Sequence, residues 1–257
     1  MEIIAFSNKK GGTGKTTSAI NFCAALGRKG YKVLAIDLDP QANFTSDSGG
    51  EAIGTVAGTF DFILGAPLED VVQHNEYYDF MGADKRIENQ RNKFEEKGSD
   101  FLLKKALAKV EGYDYVVLDT APSMSGIVFL ALVACNRVIG VCDADQRSVT
   151  GLGDLYSAIQ SAADYNPGLK IDGILITRDV PRTQANKFAV DVFHQAAAQI
   201  NSIVFDTHIK ERTVFHQCTA LHTNVFNVDA RSDGARDYET FTDEVLELFK
   251  KSNQKIK

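Results

Sequence analysis

With 257 residues, 44% of them hydrophobic and 24% charged, the chain has the make-up of an ordinary soluble domain with room for a sizeable core. Its net charge of −6 excludes a protein that coats nucleic acid with its whole surface, so any DNA affinity must come from a local basic patch. No apolar run approaches the ~20 residues that span a bilayer, and no basic leader with an apolar segment behind it opens the chain. The four cysteines, Cys23, Cys135, Cys142 and Cys218, lie far apart without C-x-x-C spacing, which points to reduced apolar residues of a cytosolic protein and to neither a disulfide framework nor a zinc site.

Ile3-Ile4-Ala5-Phe6 predicts a buried strand, and Ala19, Phe22, Cys23 and Leu26 have the i, i+3, i+4, i+7 spacing of a buried helix face. Between them runs Asn8-Lys9-Lys10-Gly11-Gly12-Thr13-Gly14-Lys15-Thr16-Thr17. Strand, glycine loop and helix in that order make a phosphate site, because glycines let backbone N–H groups turn inward and the helix start adds unpaired donors and a positive dipole end. Lys15 would reach the β- and γ-phosphates and the Thr16 hydroxyl would hold Mg²⁺, with Gly11, Gly12, Thr13, Gly14 and Thr17 completing the cradle. Arg28-Lys29-Gly30 ends the helix, and Val33-Leu34-Ala35-Ile36 predicts a second strand ending in Asp37-Leu38-Asp39-Pro40-Gln41. In an open parallel sheet these carboxylates face the same crevice as the glycine loop.

Further on, Asn43 to Gly50 reads as a loop, Thr55–Leu64 and Leu68–Val72 as short helices, and Tyr77–Met81 as a strand. Asp84–Ser99 is strongly charged with little apolar content and reads as an exposed helix or loop, either solvated surface or a partner contact. Phe101–Val110 is helical in pattern, and Tyr115-Val116-Val117-Leu118 ends in Asp119, an acid placed to hold Mg²⁺. Strands are expected at Val138–Cys142, Gly173–Thr177 and Ile203–Phe205, the last of the series. Asp237–Lys251 forms a closing helix with the stripe Phe241, Val245, Leu248 and Phe249. Seven strands alternating with helices predict an α/β fold, a doubly wound, mostly parallel P-loop sheet in one domain over residues 1–257.

The glycine loop departs from the ordinary G-x-x-x-x-G-K-[ST] pattern, with Lys9 where the first glycine belongs and Lys10-Gly11-Gly12 following. It resembles the deviant Walker A motif, K-G-G-x-x-K-[TS], of the ParA/MinD family of ATPases. Asp37–Gln41 resembles that family's switch I, D-x-D-P-Q, and Asp119-Thr120-Ala121-Pro122 its switch II, D-T-x-P; the likeness extends over nearly the whole chain. It implies ATP and Mg²⁺ as ligands, Thr16 and Asp119 as metal residues, and Lys10, Lys15 and Asp39 as catalytic residues. Asp39 would orient the attacking water, and Lys10 would cross a dimer interface to the partner's ATP. A second cation at a transferring phosphate, when supplied as an arginine finger, is worth roughly 10³–10⁵ in rate. Arg178 follows a strand whose next residues lie near the adenine base in relatives. The run from Asp143 to Leu152 departs from the family's pattern, as does Lys210 where a proline is usual.

The resemblance further implies a homodimer formed with ATP, non-specific binding of DNA through phosphates, and slow hydrolysis stimulated by a ParB-like or cargo-bound adaptor. Arg178, Arg182, Lys187, Lys210, Arg212, Arg231 and Arg236 are the candidate DNA contacts. The chain looks like the short, chromosomal (Soj-like) type without a helix-turn-helix region, cytoplasmic and nucleoid-associated, moving a plasmid, a chromosome origin or a protein cargo. The alternative is a MinD-like membrane role through the last helix and Lys250, Lys251, Lys255 and Lys257. Asp243, Glu244 and Glu247 on that helix count against it.

Overall fold

The computed structural model describes residues 1–50, 56–123, 126–145, 147–180 and 184–254. Its first half runs β1 (Glu2–Ser7), α1 (Lys15–Arg28), β2 (Val33–Asp37), α2 (Asn43–Asp47), α3 (Thr59–Ile63), β3 (Gln73–His74), β4 (Asp79–Met81), α4 (Arg86–Asn89), α5 (Leu102–Leu107) and β5 (Tyr115–Asp119). The second half runs α6 (Gly126–Ala134), β6 (Arg137–Asp143), α7 (Arg147–Ser161), β7 (Ile171–Asp179), α8 (Gln184–Gln199), β8 (Ile209–Lys210), α9 (Thr213–Ala220), α10 (Val225–Asp229) and α11 (Asp233–Gln254).

The strands form one eight-stranded sheet in the order β3-β4-β2-β5-β1-β6-β7-β8, parallel throughout except for the β3–β4 pair. Successive side chains point to opposite faces, so Ala5, Val116, Leu118, Ile174 and Ile176 join one core while Ile4, Phe6, Val117, Val141 and Leu175 join the other. Phe22 of α1 and Phe241 of α11 meet in the second core, with ring centroids 5.7 Å apart. Helices therefore cover both faces of the sheet, and polar residues collect where the strands end. β1, the strand that feeds the glycine loop, lies between β5 and β6 in the middle of the sheet.

Four expectations change. Asn43–Gly50 is not all loop, since Asn43–Asp47 form the short helix α2. Ile203–Phe205 is not a strand: its backbone meets the sheet only at Ile174, through one isolated bridge at Val204, and the last strand is β8. Losing that stretch and gaining β3 and β8 takes the strand number from seven to eight. Nor is Asp84–Ser99 simply a solvated surface. Ile87 and Phe94 are buried, and the Phe94 ring packs edge-on against Phe60 with centroids 5.9 Å apart. Two apolar side chains in a charged run are too few to give a periodic pattern, yet they anchor the segment.

The stripe on α11 goes into the core: Phe241, Val245 and Phe249 are buried, and Leu248 is half-buried. Arg137 at the start of β6 ties this helix to the sheet. Its guanidinium reaches Asp172 and Glu2 at 3.2 Å each and Asn253 at 2.8 Å, and lies over the Phe249 ring. Removing a buried charge's partner leaves that charge uncompensated, so Arg137→Ala should lower stability by about 3–5 kcal/mol. Urea unfolding followed by circular dichroism checks this; a loss below about 1 kcal/mol, the worth of an exposed pair, contradicts it.

Candidate active site

β1 ends in Ser7, and the chain then turns through the glycine loop into α1. Gly12 and Gly14 have φ of 75° and 79°, a left-handed conformation that costs a side-chain-bearing residue roughly 1–2 kcal/mol. Thr13 between them is fully buried, and its carbonyl accepts a hydrogen bond of 2.7 Å from the Thr177 hydroxyl at the end of β7. The other end of the loop is pinned by Asn8, whose Nδ2 donates to the Val141 carbonyl at 2.8 Å while its Oδ1 accepts from Lys10 N–H at 2.9 Å. The loop is thus shaped by a backbone carbonyl of β6 and a side chain of β7 as well as by its glycines.

Lys15 is 6% exposed, and its Nζ donates to the Lys10 carbonyl at 3.1 Å. Burial pulls its pKa down, against the pull of Asp119 and Asp39 in the other direction. The Thr16 hydroxyl donates to Asp119 Oδ2 at 2.8 Å; Asp119 Oδ1 is buried with no hydrogen-bond partner. Asp37 is fully buried and accepts from Thr45 Oγ1 at 2.7 Å and from the N–H groups of Thr45 and Asp39 at 3.0 Å each. Asp39 accepts from Gln41 N–H at 2.9 Å. Burial pushes the pKa values of Asp37 and Asp119 up, and a neighbouring carboxylate pushes each further.

Such a cluster is short of positive charge. An orphaned carboxylate oxygen beside a threonine hydroxyl is a hard oxygen donor set and fits Mg²⁺. Thr16 and Asp119 are the residues that would hold it, with Lys15 and the loop's N–H groups left for phosphate. An opening of about 550 Å³ gives access to Asp39, lined among others by Gln41, Glu88, Arg91, Phe94 and Pro122. The charged segment 84–99 therefore forms a wall of the site, which its composition did not foretell.

Lys10 stands apart from the cluster. Its Nζ lies 2.9 and 2.8 Å from the two oxygens of Asp143 and 3.6 Å from Asp145, and Asp143 also accepts from the Ser148 hydroxyl. Lys9 pairs with Asp154 at 3.2 Å. α7 comes this close because residue 151 is glycine: an added Cβ would run into Asn8 Oδ1. The stretch after β6 that breaks the family's pattern is thus the stretch that holds Lys10. Sequence reading noted the Asp-Ala-Asp run there without pairing it with the lysine, since contacts across more than a hundred residues leave no local periodicity.

Arg178 is exposed and lines a cavity of about 120 Å³ together with Gly14, Thr17, Lys210 and His216. Of the other candidate DNA contacts, Arg212 is held by Asp237 at 3.0 Å and Asp233 at 3.2 Å, and Arg236 pairs with Asp233 at 2.7 Å. Lys187, Lys210 and Arg231 are exposed with no ion pair among the described residues, and Arg182 lies outside those residues.

A family model described as an AAA domain matches residues 1–171. The chain is 34% identical over 244 residues to the chromosome-partitioning ATPase Soj of Thermus thermophilus, covering 95% of this chain and 94% of the relative. Among solved structures, apo McdA from Cyanothece superposes with a TM-score of 0.85 at 22% identity, covering 95% of this chain and 99% of that one. A cobyrinic acid a,c-diamide synthase from Mycobacterium smegmatis, with bound ATP analog and magnesium, superposes with a TM-score of 0.83 at 25% identity, covering 97% and 96%.

Burial pushes the pKa of Asp37 up to about 7 in the folded protein, against ~3.9 in an unfolded chain. Between those values the folded state keeps a proton that the unfolded state has released, so this residue's contribution to stability falls as pH rises. Denaturant melts of nucleotide-free, magnesium-free protein should therefore show wild type losing stability relative to Asp37→Asn from about pH 4 to pH 7. Wild-type stability minus that of the variant staying level or rising with pH in that window contradicts the assignment.

Proposed function

The chain belongs to the ParA/MinD family of P-loop ATPases, and from that footing we propose that it is an ATP-driven dimerising switch that holds DNA without reading its sequence and so positions a plasmid, a chromosome origin or a protein cargo. The position of Lys10 carries the reading. Its ammonium is bonded to Asp143 and Asp145 on the β6 side and makes no bond within the Lys15–Thr16–Asp119 cluster of its own chain. A lysine placed outside its own phosphate cradle is free to serve a neighbour's.

Each residue then has a defined task. Lys15 and the loop's N–H groups bind the phosphates, giving Lys15 the anionic partner that its Lys10 carbonyl contact stands in for. Thr16 and Asp119 hold Mg²⁺, which when bound neutralises phosphate charge. Asp39, fixed by its bond to Gln41 N–H and open to the cavity, orients the attacking water. Lys10 leaves Asp143 for the partner's nucleotide, which makes turnover depend on dimerisation. The ion pair it leaves is partly exposed, with side-chain exposures of 24% and 16%, so the exchange costs little compared with breaking a fully buried pair.

DNA contact falls to the exposed cations Lys187, Lys210 and Arg231, doubled in a dimer, and works through phosphates. A ParB-like or cargo-bound adaptor would trigger hydrolysis and release. The stripe of α11 is buried in the core, so among the described residues that helix presents no apolar face to lay on a membrane.

Asp39→Ala should keep ATP binding and dimerisation while slowing phosphate release roughly 10²–10⁴-fold, the range of a lost base or water-orienting group; a variant that turns over normally removes Asp39 from the mechanism. Lys15→Ala should abolish ATP-dependent retention of DNA in a mobility or filter assay, and undiminished retention contradicts the reading.

A further inference from the structure

We propose that Arg178 grips the phosphate chain of the nucleotide bound in its own subunit, rather than the adenine base, and so gives the glycine loop a second cation in cis beside Lys15. The inference rests on the reading of the loop as a nucleotide site and goes beyond it in assigning this residue.

The backbone supplies the first ground. β7 and β8 are in register at Thr177 opposite Ile209 and again at Asp179 opposite Lys210, so the register shifts at Arg178, which is left without a partner on β8, as at a β-bulge. Bulges re-aim a side chain that a regular strand would send elsewhere, and they gather beside functional sites. Arg178 also has φ of 49°, one of four non-glycine residues in the left-handed region among the described residues. Residues outside glycine are held there only when their surroundings impose it. Both neighbours do so: the Thr177 hydroxyl is bonded to the Thr13 carbonyl at 2.7 Å, and Asp179 Oδ2 is paired with His208 Nδ1 at 2.9 Å.

The second ground is where the side chain ends. A methyl group built on Gly12 would lie 4.0 Å from Arg178 Nη1, so the guanidinium stands over the glycine loop. It has no hydrogen bond or ion pair among the described residues. Lys210 lines the same cavity with no ion pair among the described residues, and the charge of Arg212 there is already met by Asp237 and Asp233, leaving Glu211 as the one carboxylate of the lining. An unpaired, conformationally fixed arginine with Lys210 in the same lining suits an anion. The guanidinium fork matches phosphate oxygens two at a time.

Titration calorimetry with ADP, a non-hydrolysable ATP analogue and GDP, on wild type, Arg178→Gly and Arg178→Gln, tests this. Glycine accepts the left-handed backbone without penalty, so Arg178→Gly should melt no lower than wild type. It should nevertheless bind ADP and the analogue roughly tenfold to a hundredfold more weakly, the worth of charge-assisted hydrogen bonds. Arg178→Gln, similar in reach but uncharged, should lose as much, and the ratio of ADP to GDP affinity should stay constant in both. Unchanged ADP affinity in the two variants overturns the assignment, as does a loss that shows only in the ADP to GDP ratio, the mark of a base contact. Wild type that binds no nucleotide overturns the reading of the loop itself.

Discussion

Four parallel strands of this sheet, β2, β5, β6 and β7, end on aspartate: Asp37, Asp119, Asp143 and Asp179. Placing that much negative charge at one edge of a buried sheet is costly unless each carboxylate is answered by a donor or a cation. Thr45 answers Asp37, Thr16 answers one oxygen of Asp119, Lys10 answers Asp143, and His208 answers Asp179. The answers are incomplete at Asp119 and at Asp179, each of which keeps one buried oxygen without a hydrogen-bond partner among the described residues. The edge is therefore built to take up further positive charge, and the glycine loop places the donors for an anion directly beside it.

This arrangement links the motif to the fold. The loop's conformation is held by its own Asn8, which reaches β6, and by Thr177 of β7, and the lysine that defines its deviant form is parked on β6 by a carboxylate of the same strand-end series. Metal and nucleotide would change the charge balance at β1, β2 and β5, while Lys10 marks the boundary with β6. If Lys10 also meets the partner's nucleotide, as proposed, it would have a partner in each state and so be the kind of two-state element through which ligand and assembly become coupled.

Much of this was readable in the sequence, and the limits have physical causes. The loop, the strands that end in Asp37 and Asp119, and the α11 stripe all carry local signals, either fixed spacing or periodicity, and each lies where those signals put it. Ile203–Phe205 was misread because a short apolar run looks the same whether it pairs along its length or touches the sheet at one residue. The burial of Ile87 and Phe94 was missed because two anchors in a charged segment make no pattern. The pairing of Lys10 with Asp143 and the bulge at Arg178 depend on register between distant strands, which one sequence does not display.

The central claim is that nucleotide state governs pairing of subunits through Lys10. Solution mass by light scattering, with and without magnesium and a non-hydrolysable ATP analogue, reads it directly on wild type and on Lys10→Ala. Wild type should double in mass only when the analogue is present, and Lys10→Ala should stay monomeric while still binding it. Wild type that keeps the same mass with the analogue bound, or Lys10→Ala that dimerises as readily, would contradict the claim.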